Sequence, residues 1–201
     1  NQPMTTEIHM EQLILKHSTD EDFRKVWKYK IGGGVIGGKA CGLLVARKLI
    51  ELNLPEYVEY LEPHNSYFVG TDVFYRYLVL NRCSELKAKH RLLKEHFEET
   101  EELTNRLRNG SLPEDIREKL AEMLDRLNTT PIIVRSSSIM EDGYGNAFSG
   151  KYESIFCMNQ GSREERLDEL EDAIRRVYAS VMNEQAIEYR RKRHLLDVDE
   201  Q

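Results

Sequence analysis

The sequence predicts a helix-rich α+β fold with a small mixed or antiparallel sheet. Apolar residues recur at helical spacing along most of the chain, and several of these stretches begin with residues that cap helices. Three short runs, at 67–69, 132–134 and 151–158, have the β-branched and aromatic content of strands. Because helices dominate and the strands are few and separated, a doubly wound parallel sheet is not expected.

The N-terminal part of the chain predicts one well-marked helix. Residues 1–17 are polar with a weak apolar pattern, so they predict either a helix or a loosely held segment. Ser18 and Glu21 have the spacing of a capping box and predict a helix of about 19–29. The apolar face of that helix would consist of Phe23, Val26 and Trp27.

A glycine-rich loop follows, with five glycines within residues 32–38. Such a stretch needs unusual backbone dihedrals and predicts neither helix nor strand. The next helix is expected at roughly 39–52. Its expected buried positions are Leu43, Leu44, Ala46, Leu49 and Ile50.

The middle of the chain predicts a strand at 67–69 and then a helix from Thr71 or Asp72 to about residue 81. Dense charge over 84–108 predicts a solvated helix or helix pair. Ser111 has the position of an N-cap, with Pro113 in the first turn of a helix of about 113–127. Its apolar stripe would be Ile116, Leu120, Met123, Leu124 and Leu127.

The last third predicts two strands, at 132–134 and 151–158, joined through the polar, glycine-containing stretch 141–150. A second capping box at Ser162 and Glu165 predicts a long helix. Its buried face would be Leu167, Leu170, Ala173, Ile174 and Val177.

Length and composition restrict the class of protein. A chain of 201 residues allows one large domain or two small ones. Its net charge of −6 gives no reason to expect general binding to nucleic acid or to anionic membranes. The separated cysteines Cys41, Cys83 and Cys157 favour reduced thiols, and so a cytoplasmic protein, over a disulfide framework. No apolar run approaches 18 residues, so we expect no membrane partner.

Lys39 lies where the glycine-rich loop meets the predicted helix. A cation at a helix N-terminus opposes the helix dipole unless an anion lies between them, so Lys39 is a candidate anion ligand. The alternative is a solvated lysine in the first turn. Residues 33–39 match seven positions of a P-loop, but the eighth is Ala40 rather than Ser or Thr. The charged residues before the loop also predict a helix end rather than a strand, so a P-loop is not expected.

Arg135 follows the apolar run 132–134, which predicts a buried strand with a guanidinium at its tip. A guanidinium beside a glycine-containing loop suits phosphate oxygens, because the fork binds two of them and the loop amides approach closely. The alternatives are a salt bridge from Arg135 to Glu141 or Asp142, and serines at 136–138 that only satisfy backbone groups. Sharing one triphosphate would require Arg135 and Lys39 to face one cleft.

Several segments resemble, in order and spacing, the phosphoenolpyruvate synthase and pyruvate phosphate dikinase family. Residues 37–40 before an apolar helix are similar to its GGK-(G/A)-x-x-L segment. Residues 134–142 and 146–154 resemble its VRSSA-x-x-ED and SFAGQ-x-ET segments. Residues 173–190 are similar to its A-I, aSl and A-x-x-YR pattern. The resemblance runs from about residue 36 to residue 193 and is weakest over 52–130.

The resemblance implies the first portion of an ATP-grasp nucleotide-binding domain at residues 31–201, preceded by an N-terminal helical extension at residues 1–30. In the family, the residues that match Lys39 and Arg135 contact ATP phosphates, and Arg135 is the expected catalytic residue. The loop 143–150 would cover the nucleotide. The other expected nucleotide contacts are Gly38, Ser136, Gly150 and Ser154.

The resemblance also implies a reaction. The full enzymes transfer a phosphoryl group from ATP to a histidine on a swivelling domain, and then to pyruvate or another acceptor. The Mg²⁺ ligands, the carrier histidine and the remaining domains are expected outside this chain, which would be inactive alone. The alternative is a nucleotide-sensing or regulatory module of the same fold without catalysis.

Overall fold

The structure, a computed structural model, describes residues 8–61, 65–84, 97–138 and 152–181. The chain divides into two compact units. Of the described residues, the first unit contains those up to residue 73 together with 137–138, and the second contains the others from residue 74 onward. Helices predominate over two small sheets of two strands each, which confirms the helix-rich α+β prediction.

The first unit is built from three helices, a 3₁₀ helix and a pair of two-residue parallel strands. These are α1 (Ile8–His17), α2 (Asp20–Lys28), β1 (Lys30–Ile31), α3 (Gly38–Asn53), the 3₁₀ helix (Pro55–Tyr60) and β2 (Phe68–Val69). Their buried core consists of Ile14, Val26, Ile36, Cys41, Val45 and Phe68. Ile36 belongs to the glycine-rich segment, so this core anchors the loop that precedes α3. The helix α4 (Thr71–Leu80) begins in this unit and continues into the second.

The second unit contains most of α4, three further helices and an antiparallel strand pair. Its elements are α5 (Phe97–Asn109), α6 (Glu114–Leu127), β3 (Ile132–Arg135), β4 (Ser154–Cys157) and α7 (Arg163–Ser180). The helix α7 packs against both other helices and both strands. On the strand face that packs inward, Cys157 is 1% exposed, and burial raises the pKa of its thiol to about 11.

An ion cluster joins two of these helices. Arg117 of α6 donates to Glu164 at 2.7 Å, to Asp168 at 3.3 Å and to Glu171 at 3.0 Å, all on α7. Glu171 is buried, and this burial raises the pKa of its carboxyl although Arg117 acts in the opposite direction. The cluster fixes α6 to the helix on which the sheet rests.

The long helix α7 begins as predicted. The Ser162 Oγ accepts from the Glu165 N–H at 3.2 Å, and the Glu165 carboxylate accepts from the Ser162 N–H at 2.8 Å. All five positions predicted for its buried face are buried. The capping box and the apolar stripe are both local sequence patterns, and for this helix both agree with the structure.

The predicted start of α2 is wrong by one residue. Thr19, not Ser18, is the N-cap: its Oγ1 accepts from the Asp22 N–H at 3.3 Å, and the Asp22 carboxylate accepts from the Thr19 N–H at 2.8 Å. The Ser18 N–H donates to the Ile14 carbonyl at 2.9 Å. Ser18 therefore closes α1 and does not open α2.

The predicted cap of α6 is also wrong. The N-cap of this helix is Pro113, and the helix begins at Glu114. The Ser111 N–H donates to the Asn81 Oδ1 at 2.8 Å, and the Ser111 carbonyl accepts from the Asn81 Nδ2 at 3.0 Å. This double pairing with the end of α4 holds Ser111 outside the helix.

Two predicted burial patterns need correction. In α3, Leu43 is 44% exposed and Ala46 is also exposed, because the stripe that meets the core runs through Cys41 and Val45 instead. The strand β3 is half-buried rather than buried, since Ile133 on its outer face is 47% exposed. A strand pair with one packed face needs apolar residues only on that face.

Candidate functional site

The glycine-rich loop is held against the start of α4. The Thr71 N–H donates to the Val35 carbonyl at 2.9 Å, and the Val35 N–H donates to the Thr71 Oγ1 at 3.1 Å. The Asp72 N–H donates to the Gly33 carbonyl at 3.4 Å. Gly34 has a φ of 78°, and a Cβ there would lie 2.5 Å from the Thr71 Oγ1, so glycine is required. The loop therefore has one well-defined shape.

Lys30 supports the same loop from the other side. Its ammonium donates to the Gly34 carbonyl and lies 4.4 Å from the centre of the Trp27 ring. Burial lowers the pKa of Lys30, and the nearby Asp72 carboxylate acts in the opposite direction. Trp27 belongs to the predicted apolar face of α2, and it is 40% exposed. Its ring serves as a cation–π partner for the loop-supporting lysine.

The first turn of α3 is capped by a residue about a hundred positions away in sequence. The Lys39 N–H donates to the Ser137 carbonyl at 3.4 Å, and the Ala40 N–H donates to the Ser137 Oγ at 3.0 Å. The N-cap residue Gly37 has no side chain to do this. A Cβ on Gly37 would lie 2.1 Å from the Ser137 carbonyl oxygen, so the glycine makes room for the capping serine. Ser137 thus satisfies two amides that helix starts leave open.

This cap changes what an anion could contact at Lys39. While Ser137 stays in place, the amides of Lys39 and Ala40 are occupied, and an anion would reach the lysine side chain instead. A P-loop uses such amides for phosphate, and here two of them are occupied. As predicted, a helix ends before the loop, at Lys28 with Tyr29 as its C-cap, but the two-residue strand β1 lies between that end and the loop.

Arg135 and Ser154 lie directly opposite each other in the second unit. Arg135 is the last residue of β3, Ser154 is the first residue of β4, and the antiparallel register pairs them. Both side chains are exposed. A guanidinium beside a hydroxyl offers several hydrogen-bond donors to one anion.

The predicted site residues fall into the two units. Gly38 and Lys39 are the first two residues of α3 and lie in the first unit. Arg135, Ser136 and Ser154 lie in the second unit. The shared cleft for Lys39 and Arg135 stays a prediction.

Three further expectations fall on undescribed residues. They concern Gly150, the loop 143–150, and the two carboxylates proposed as alternative salt-bridge partners of Arg135, which are Glu141 and Asp142. All of these residues lie outside the part of the chain that the structure describes.

Ser137 is the residue that the sequence interpretation missed as a specific contact. The serines at 136–138 were expected at most to satisfy backbone groups, and one of them does so at a distant helix. The available signal was a helix start without a capping side chain, at Gly37. A helix start of this kind indicates that a residue from another segment caps the helix, but it does not identify that residue.

The region that contains these site residues also matches a known protein family. Residues 34–201 match the sequence model of the pyruvate phosphate dikinase, AMP/ATP-binding domain. The chain belongs to this family. The matched range includes all the predicted site residues, from Gly38 to Ser154. Membership in the AMP/ATP-binding domain family supports ATP as a ligand of this chain.

No curated protein and no solved structure matches the chain. Among the described residues, no helix combines the length and the apolar content needed to cross a membrane. In the same ranges, no three or more His, Cys, Asp or Glu side chains are grouped so that they could hold a metal ion.

Proposed function

We propose that this chain is the nucleotide-binding portion of a phosphotransferase of the phosphoenolpyruvate synthase and pyruvate phosphate dikinase type. In this proposal residues 31–201 form the first portion of an ATP-grasp domain, and ATP phosphorylates a carrier histidine outside the chain. Family membership over residues 34–201 supports the ligand and the type of protein.

The observation that carries the proposal is the family match, which covers both Lys39 and Arg135. Lys39 lies in the first turn of α3 in the first unit, and Arg135 is paired with Ser154 in the second unit. The match over both residues supports a role for each cation in binding phosphate.

Each residue has a stated role in this proposal. Arg135 and Lys39 neutralise the phosphate oxygens and hold the terminal phosphate in line with its acceptor, because phosphoryl transfer depends on positioning and charge stabilisation. Ser136, Ser154 and the glycines at 38 and 150 contact the same phosphates. ATP supplies the phosphoryl group, and Mg²⁺ would be held by ligands outside this chain.

Calorimetric titration with ATP tests the phosphate contacts. A charge-assisted hydrogen bond contributes about 1.5–3 kcal/mol, so Arg135→Ala and Lys39→Ala should each raise the Kd roughly 10- to 150-fold. Arg108→Ala is the matched control, since Arg108 is an exposed arginine of α5 in the second unit. Clear binding that none of these variants changes would remove both cations from the site.

The reaction itself is tested in the longer protein that the proposal requires. With ATP labelled at the γ-phosphate, an acid-labile phosphohistidine should form, and it should be lost in Arg135→Ala. Arginine-dependent ATP binding without any phosphohistidine would instead favour the nucleotide-sensing module.

A further inference from the structure

The outer face of the β3–β4 pair is apolar although nothing in the described chain covers it. Ile133 is 47% exposed, Phe156 is 70% exposed and Met158, just after β4, is 64% exposed. The opposite face already packs against α7 and contains the buried Cys157. A two-stranded sheet with one solvated face normally carries polar residues there. The composition of this face therefore indicates a ligand or partner.

The register places this apolar area next to the proposed phosphate ligands. Ile133 pairs with Phe156, and the adjacent outward-facing pair is Arg135 with Ser154. Residues two apart on a strand lie roughly 6.8 Å apart, so a cationic pair and an aromatic pair are neighbours on one face. This order, charge and then aromatic ring, corresponds to the order of phosphate and base in a nucleotide.

The strand β4, which carries Phe156, is fixed at both ends. After β4, the Glu169 carboxylate of α7 accepts from the Met158 N–H at 2.8 Å and from the Asn159 N–H at 2.9 Å. Before β4, the Glu153 N–H donates to the Ser180 Oγ at 3.1 Å. A ligand would thus meet a preformed surface, which lowers the entropic cost of binding.

We propose that Phe156 is the stacking platform for the base of the nucleotide whose phosphates bind Arg135. The inference rests on the proposed function and adds the position of the base. Ile133 and Met158 border the ring and exclude water from it. Aromatic rings stack on every base, so the site would accept any purine and would not by itself distinguish adenine from guanine.

The size of the face favours a base over a second protein molecule. An aromatic side chain buries about 150–250 Å² at most, so these three side chains together offer a few hundred Å². A stable protein–protein interface buries at least about 1,000 Å² in total, or about 500 Å² on each partner, and these three side chains are already partly buried. A nucleobase needs far less, and the adjacent Arg135 provides the charge complementarity that a nucleotide phosphate requires.

The test compares ATP with tripolyphosphate, which has the phosphates but no base. Calorimetry would use the wild type, Phe156→Ala, Phe156→Tyr and Tyr60→Ala. Tyr60 is the matched control because it is an aromatic residue of the first unit that is 73% exposed. Thermal unfolding would show that each variant is folded, and Phe156 is exposed enough for its truncation to leave the packed face intact.

We expect Phe156→Ala to weaken the binding of ATP about 5- to 150-fold, the usual range for loss of one base stack, and to leave the binding of tripolyphosphate unchanged. Phe156→Tyr should bind both ligands like the wild type, and so should Tyr60→Ala. The inference would be overturned if Phe156→Ala changed neither ligand or weakened both equally, while Arg135→Ala still weakened both. Absence of any Arg135-dependent binding would overturn the proposed function as well.

A fluorescence signal provides a second readout that a structural role would not change. The wild type has one tryptophan, Trp27, in α2 of the first unit. Phe156→Trp adds an indole at the proposed platform, and stacking should quench its emission with ATP but not with tripolyphosphate. Equal emission with both ligands would contradict stacking.

Discussion

The capping of α3 by Ser137 makes a strong prediction for Gly37→Ala. A Cβ at this position would lie 2.1 Å from the Ser137 carbonyl oxygen and 2.6 Å from the Ser137 Cβ. The serine would have to move, and the amides of Lys39 and Ala40 would lose their acceptors. Losing a cap costs about 0.5–2 kcal/mol and relieving such a clash about 1–3 kcal/mol. We expect a total of about 1.5–5 kcal/mol of unfolding free energy, the sum of these two ranges.

Gly42→Ala is the matched control within the same helix. A Cβ on Gly42 meets only the Met10 Cε, at 4.0 Å, so there is no clash. Alanine in the interior of a helix is better than glycine by roughly 0.5–1 kcal/mol. The two Gly→Ala substitutions should therefore change stability in opposite directions.

Urea denaturation measures the free energies, and hydrogen exchange locates the effect. In Gly37→Ala, the amides of Lys39 and Ala40 should exchange roughly 10- to 4,000-fold faster, the factor that corresponds to about 1.5–5 kcal/mol. The double variant with Ser137→Ala should cost less than the sum of the single variants, because both remove one cap. If Gly37→Ala behaved like Gly42→Ala and these amides exchanged as before, the reasoning would be refuted.

Two further predictions concern helix starts and pH. Burial alone would raise the pKa of Asp22, but Lys48 and the Thr19 cap outweigh it and hold the pKa below 3.8. Its ionised form stabilises the fold, so Asp22→Asn should be less stable than the wild type at pH 7, and urea titrations should show the difference shrinking as the pH falls below 3.8. Ser162→Ala should cost about 1 kcal/mol in thermal unfolding, whereas Ser111→Ala should cost almost nothing. Equal costs for the two serines would contradict the observed caps.

Local sequence patterns correctly predicted those features that depend on interactions between residues close together in the sequence. The Ser162 capping box and the buried stripe of α7 involve residues three or four apart, and both are confirmed. The strand pair at 132–134 and 151–158 was predicted in type, with the observed pair slightly shifted to Ile132–Arg135 and Ser154–Cys157.

The failures at Ser111 and Ser137 have non-local causes, whereas the failure at Ser18 comes from a bond to the residue four positions back. Ser111 has the right neighbours for a cap, yet Asn81 of another segment holds both of its backbone groups. Ser18 fits its box equally well, but it is already bonded to the preceding helix. Ser137 acts on Ala40 across 97 positions, a separation that no periodicity reveals. At the site, the types of charged residue were predictable from motifs, while the cap beside them was not.

The position of the capping serine in the sequence affects the order in which the first unit folds and where the chain can be cut into fragments. The first unit is discontinuous, since among the described residues it contains 137–138 as well as those up to residue 73. During synthesis on the ribosome, the first turn of α3 has no cap until Ser137, 97 positions after Ala40, has been added to the chain. Contacts of such long separation form late, because closing the intervening loop costs entropy first. A fragment cut after residue 73 would lack the cap, and grafting the serine run onto it would be the way to restore an independent unit.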